Sequence, residues 1–141
     1  MEKDKRLAAT AAPYMPSAEY SAACKWLTDA DVAVYASEYG RTGFSGALQG
    51  YRVRRGSDPK SQAEMMTFTG RTIDVPSQFI SGKNDWGVYQ TPGASDRMRN
   101  THCTRMVGFH LLDGAGYWVH QEQPEQVSHL LALFLRDHAG G

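Results

Sequence analysis

The sequence predicts an α/β fold: several helices, then a βαβα unit with two parallel strands. Three observations lead there. Two apolar stretches, within "VPSQFISGKND" and over Arg105 to Leu112, each run into a polar, glycine-containing loop, as strands do. The segment before them reads at helical spacing, and an amphipathic helix closes the chain. The order strand, helix, strand, helix implies neighbouring parallel strands joined by a crossover helix. Ligands and catalytic groups in such sheets gather at the carboxyl ends of the strands. Here those ends carry "SGKNDWG" and "DGAGYWVHQEQP".

Each element has a local reason. Pro13 and Pro16 break any helix in the first sixteen residues, and residues 1–25 are expected to form a loose arm. Thr28 is the expected N-cap of the next helix, with Asp29 and Asp31 in its first turn. Val32, Tyr35, Ala36 and Tyr39 share one face, and Gly40 suits the left-handed position after a helix end. "RTGFSGALQGYRVRRGSDP" is a glycine-rich connection with a short helix carrying Leu48 and Tyr51. "KSQAEMMTF" reads as another short helix, and a partial helical cap over residues 26–70 precedes a core segment over 71–141. Pro124 opens the last helix where its missing N–H costs nothing. Val127, Leu130, Leu131, Phe134 and Leu135 then form its apolar stripe.

Composition narrows the function classes. The 141 residues suit one domain, and 15 basic side chains balance 15 acidic ones. That balance gives no reason to expect a nucleic-acid partner or an acidic membrane surface. No apolar run reaches membrane-spanning length. Cys24 and Cys103 form no CxxC pattern and read as free thiols of a reducing, cytoplasmic compartment. No pair of histidines has metal-ligand spacing, so neither metal nor cofactor is expected.

Three motifs carry a resemblance. Arg41-Thr42-Gly43-Phe44, Gly46 and Leu48-Gln49-Gly50-Tyr51-Arg52 follow the pattern RTGFxGxLNWYR. Gly82-Lys83-Asn84-Asp85 follows GxxD, and Gly114 to Pro124 follows GxGHWxQxExP. Taken together and in this order, they resemble the carboxyl-terminal portion of the α/β-hydrolase family, in its epoxide-hydrolase branch. The resemblance implies an aspartate nucleophile that opens an epoxide to an ester, cap tyrosines that bind the oxygen, and a histidine that activates water. It makes Tyr51 an oxygen-binding tyrosine and Asp85 the acid that orients the base. Trp86 and Trp118 stand near the substrate pocket in the same reading.

The chain departs from that pattern in ways that decide activity. Tyr117 occupies the base position. A phenol with an ordinary pKa of about 10 is protonated at neutral pH, whereas imidazole titrates near neutrality. His120, three residues on, is the substitute base to consider. No Gly-x-Ser-x-Gly or equivalent nucleophile turn occurs. Gln49 and Gly50 replace an asparagine and a tryptophan of the cap pattern. Two strands make an incomplete sheet, marginal in water by themselves. The expectation is therefore a segment inactive alone, with an epoxide-like ligand if any. The alternatives are a non-enzymatic binding or interaction module, and a hydrolase reconstituted with an amino-terminal partner or by self-association.

Overall fold

The computed structural model describes residue 9 and residues 12–138. The chain divides into two units, Met1–Arg41 and Thr42–Gly141. The arm expected over residues 1–25 lies partly outside the described residues. The described part holds a 3-10 turn, Ala12–Tyr14, and a helical turn, α1, Ala18–Ala22, capped by the Ser17 hydroxyl on the Tyr20 N–H at 3.1 Å.

The main helix of the first unit is α2, Asp29–Thr42. Its start is a reciprocal cap. The Asp31 N–H donates to Thr28 Oγ1 at 3.3 Å, and the Thr28 N–H donates to the Asp31 carboxylate at 2.8 Å. Gly40 does not end this helix, as its type suggested. The helix runs on to Thr42, helped by the Glu38–Arg41 ion pair at 2.6 Å, and Gly43 takes the left-handed position at φ +68°.

In the second unit, α3, Gln49–Arg54, has Leu48 just before its first turn, and Val53 is buried. Helix α4, Pro59–Met66, opens with proline after Asp58, whose carboxylate accepts from the Ser61 N–H at 3.3 Å. Strands β1, Ser77–Gly82, and β2, Met106–Leu112, pair in parallel with Phe79 opposite Phe109 and Gly82 opposite Leu112. Among the described residues they are the whole sheet. The crossover is not one helix but three short pieces: a 3-10 turn Trp86–Val88, α5 at Ala94–Arg97 and a π turn Met98–His102. Pro92 and a left-handed Gly93, φ +75°, prevent a continuous helix there.

After β2 come a single turn, α6, Val119–Glu122, and the closing helix α7, Pro124–His138. The core is small: Ala115, Val119 and Val127 are buried against Ile80 and Leu112 on one sheet face. On the other face Phe79 stacks on Phe109 at 5.0 Å, and Phe109 lines a concavity of about 330 Å³. The stripe of α7 is only half covered, since Leu131 and Leu135 are exposed. Two strands about 4.8 Å apart are too narrow a floor for an apolar stripe of 100° or more on a helix about 10 Å across. No helix among the described residues is long and apolar enough to cross a membrane.

Candidate functional site

The loops at the carboxyl ends of β1 and β2 lie side by side, joined through the main chain. The Lys83 N–H donates to the Leu112 carbonyl at 2.9 Å, and the Asn84 N–H donates to the Ala115 carbonyl at 3.0 Å. Gly82 makes this approach possible, because a Cβ there would collide with the carbonyl oxygens of Ala115 and Gly116. At the rim the Lys83 ammonium meets the Asp113 carboxylate at 2.8 Å. That hydrogen bond first, and charge attraction second, raise the lysine above its ordinary value. Both side chains are solvated, so the pair itself contributes little.

Asp85 is buried, with 9% of its surface exposed, and both its oxygens are engaged. Ser81 Oγ donates to Oδ2 at 2.9 Å, and the Gly87 N–H donates to Oδ1 at 2.8 Å. A buried carboxylate is tolerable only with such partners. The hydroxyl and the amide hold it in one orientation at the start of the 3-10 turn.

The facing loop carries Tyr117, Trp118 and His120. Tyr117 is 60% exposed, and its ring meets that of Trp118 edge-on at 5.1 Å. The His120 ring lies 6.3 Å from Trp118 in the same fashion, on the exposed surface of α6. Trp86 and Trp118 are both exposed rather than packed. Tyr51 lies on α3, exposed, with the Arg54 guanidinium 5.8 Å from its ring centre. It lines an open concavity with Leu48, Arg52, Arg55 and Ser57. Among the described residues no hydrogen bond or ring contact joins Tyr51 to Asp85, Tyr117 or His120. The structure thus brings the backbones of the loops of Asp85 and Tyr117 together, and leaves Tyr51 on its own helical segment. Among the described residues no three His, Cys, Asp or Glu side chains group as a metal set.

No family model matches the sequence. Epoxide hydrolases A and B of Mycobacterium tuberculosis are 34% and 32% identical to it over 112 and 114 residues, each match covering 78% of this chain. A mutant of potato epoxide hydrolase superposes with a TM-score of 0.70 at 28% identity, covering 89% of this chain and 39% of that one. Epoxide hydrolase A of Mycobacterium thermoresistibile gives a TM-score of 0.62 at 34% identity over 80% of this chain and 33% of its own. The chain matches part of the epoxide hydrolases of the α/β-hydrolase family. It spans about a third of the length of the curated relatives it matches, 32% and 30% of the two mycobacterial proteins.

Within this α/β-hydrolase segment the structure adds two residues whose tasks sequence alone does not state. Ser81 holds the carboxylate of Asp85. Glu122, six residues after Gly116, accepts from two main-chain amides of the facing loop. Its signal was present in the pattern GxGHWxQxExP, but only the folded loop shows what its carboxylate touches.

Proposed function

We propose that this chain is an epoxide-hydrolase-like segment that carries the acid loop and the base loop of a hydrolase site and does not hydrolyse an epoxide by itself. The observation that carries the reading is Tyr117, which the motif places at the base position on a loop bonded to the loop of Asp85. A protonated phenol is a poor base for water at neutral pH. The sequence also has no nucleophile turn to form the ester. Epoxide as the ligand class is supported by the names of the relatives. In this reading Asp85 orients whatever stands at the base position, Tyr51 binds the ligand oxygen, Trp86 and Trp118 border the pocket, and His120 is too far along the next turn to replace the base. Free Cys24 and Cys103 support a reducing, cytoplasmic setting.

A second reading, a hydrolase completed by a partner chain that supplies the nucleophile, is favoured by the exposed Leu131 and Leu135 on the closing helix and by the free edge of β1. Both readings meet in one assay. The purified chain is incubated with an epoxide, alone and with the amino-terminal portion of a related hydrolase. The lone chain is expected to match buffer. In the mixture, Tyr117→His is expected to raise the rate about 10²- to 10⁴-fold, the contribution of a positioned general base. Ring opening by the lone chain well above buffer overturns the first reading. A mixture indifferent to Tyr117→His removes residue 117 from the base position.

A further inference from the structure

The loop from Gly114 to Trp118 is fixed from two directions. From the sheet, the Ala115 carbonyl accepts from Asn84, Ala115 is fully buried, and Gly82 lies against the Ala115 and Gly116 carbonyls. From downstream, one Glu122 oxygen accepts from the Gly116 N–H at 2.7 Å and the other from the Trp118 N–H at 3.0 Å. A Cβ at Gly116 would stand 3.3 Å from the same carboxylate, so glycine lets it approach this closely. The two donors are the amides on either side of residue 117.

We propose that Glu122 is the positioning residue for residue 117: its carboxylate, gripping the amides of Gly116 and Trp118, sets the main chain between them whatever side chain residue 117 carries. The proposal rests on the reading that residue 117 stands at the base position. The physical reason is geometric. A carboxylate is planar, with two acceptor oxygens at a fixed separation. Rotating the backbone of residue 117 breaks at least one of the two bonds, and charge-assisted bonds to amides are the stronger kind. The side chain of Tyr117 takes no part in this grip, so it can be exchanged without loss of the frame. Glu122→Gln keeps the shape but replaces one acceptor with a donor that faces an N–H, so only one bond survives.

Two NMR measurements on the full chain test this. In the unmodified chain, the amide resonances of Gly116 and Trp118 are expected to move together with the Glu122 side-chain carboxyl carbon on acidification. Amides that ignore that carboxyl overturn the proposal, and this measurement requires no variant to fold. In Tyr117→His, the introduced imidazole is expected to titrate about one unit above ordinary histidine, because Asp85 stabilises its charged form. Adding Asp85→Asn or Glu122→Gln should each return it towards the ordinary value, the first by removing the charge and the second by releasing the backbone. A drop with Asp85→Asn and none with Glu122→Gln overturns the proposal while the reading of Asp85 survives. If the imidazole is not raised and neither change moves it, the base-position reading fails. The grip of Glu122 on the loop is then decided by the amide resonances alone, coupled amides keeping it and uncoupled ones removing it.

Discussion

The helical segment from Thr42 to Gly70 and the paired loops at the strand ends keep their shapes by different means. In the helical segment, local main-chain turns are tied to one another by exposed side chains. Arg52 reaches the Ser45 carbonyl at 2.8 Å, and Gln49 reaches the Asp58 carboxylate at 2.8 Å. Between the loops the main chain makes most of the ties, Lys83 to Leu112, Asn84 to Ala115 and Gly82 against two carbonyls, with the solvated Lys83–Asp113 pair at the rim. Where Glu122 contributes, it too binds only amides. A frame held by backbone accepts a new side chain at residue 117. In the helical segment a side chain such as Gln49, which ties to Asp58, is part of the frame.

One substitution made at two glycines should break or confirm this contrast. Gly82→Ala pushes a methyl group into backbone oxygens that no rotamer can clear. It is expected to cost about 3 kcal/mol, the upper end of overpacking, seen as a lower urea midpoint. An unchanged midpoint would mean the loops do not lie against each other. Next in size, Asp85→Ala leaves the buried Ser81 hydroxyl and the Gly87 amide without their acceptor. It should cost about 1–3 kcal/mol in the same melt. Gly50→Ala goes the other way. A Cβ there meets nothing within 4 Å, and the residue is helical. Its removal of backbone freedom should stabilise by about 0.5–1 kcal/mol.

The smallest effect concerns pH. The Asp58 carboxyl lies below its ordinary value, first because the Ser61 hydroxyl and then its amide donate to it, against a weaker opposing effect of burial. Its folded-state pKa is depressed, so its contribution is present above the unfolded value and fades as pH falls through the folded one. Helicity of the segment from Thr42 to Gly70 should slip slightly with acid below pH about 4, and Asp58→Asn should flatten that slope in circular dichroism. A slope of the same size in the variant assigns the effect elsewhere.

Local rules carried the elements whose causes are local. Thr28 with Asp31 is a cap built within four residues, β2 begins one residue inside its expected Arg105 start, and the helix expected from Lys60 begins one residue earlier at Pro59. Gly40 against Gly43 is harder, since either glycine satisfies the left-handed turn and the sequence does not say which one takes it. The broken crossover shows a competition between helical pattern and the Pro92–Gly93 break.

By itself, the sequence determined the longer helices and both strands, that the strands run parallel, and that Asp85 and Tyr117 sit on strand-end loops. These follow from periodicity, caps and chain order, which are properties of neighbours along the chain. Only the tertiary structure decided that Gly82 touches the Ala115 and Gly116 carbonyls, that Ser81 orients Asp85, and that Glu122 grips the amides around Tyr117. It also decided that Leu131 and Leu135 stay uncovered. Which atoms meet across two loops, and which face finds a floor, depends on distances that exist only once the strands have paired.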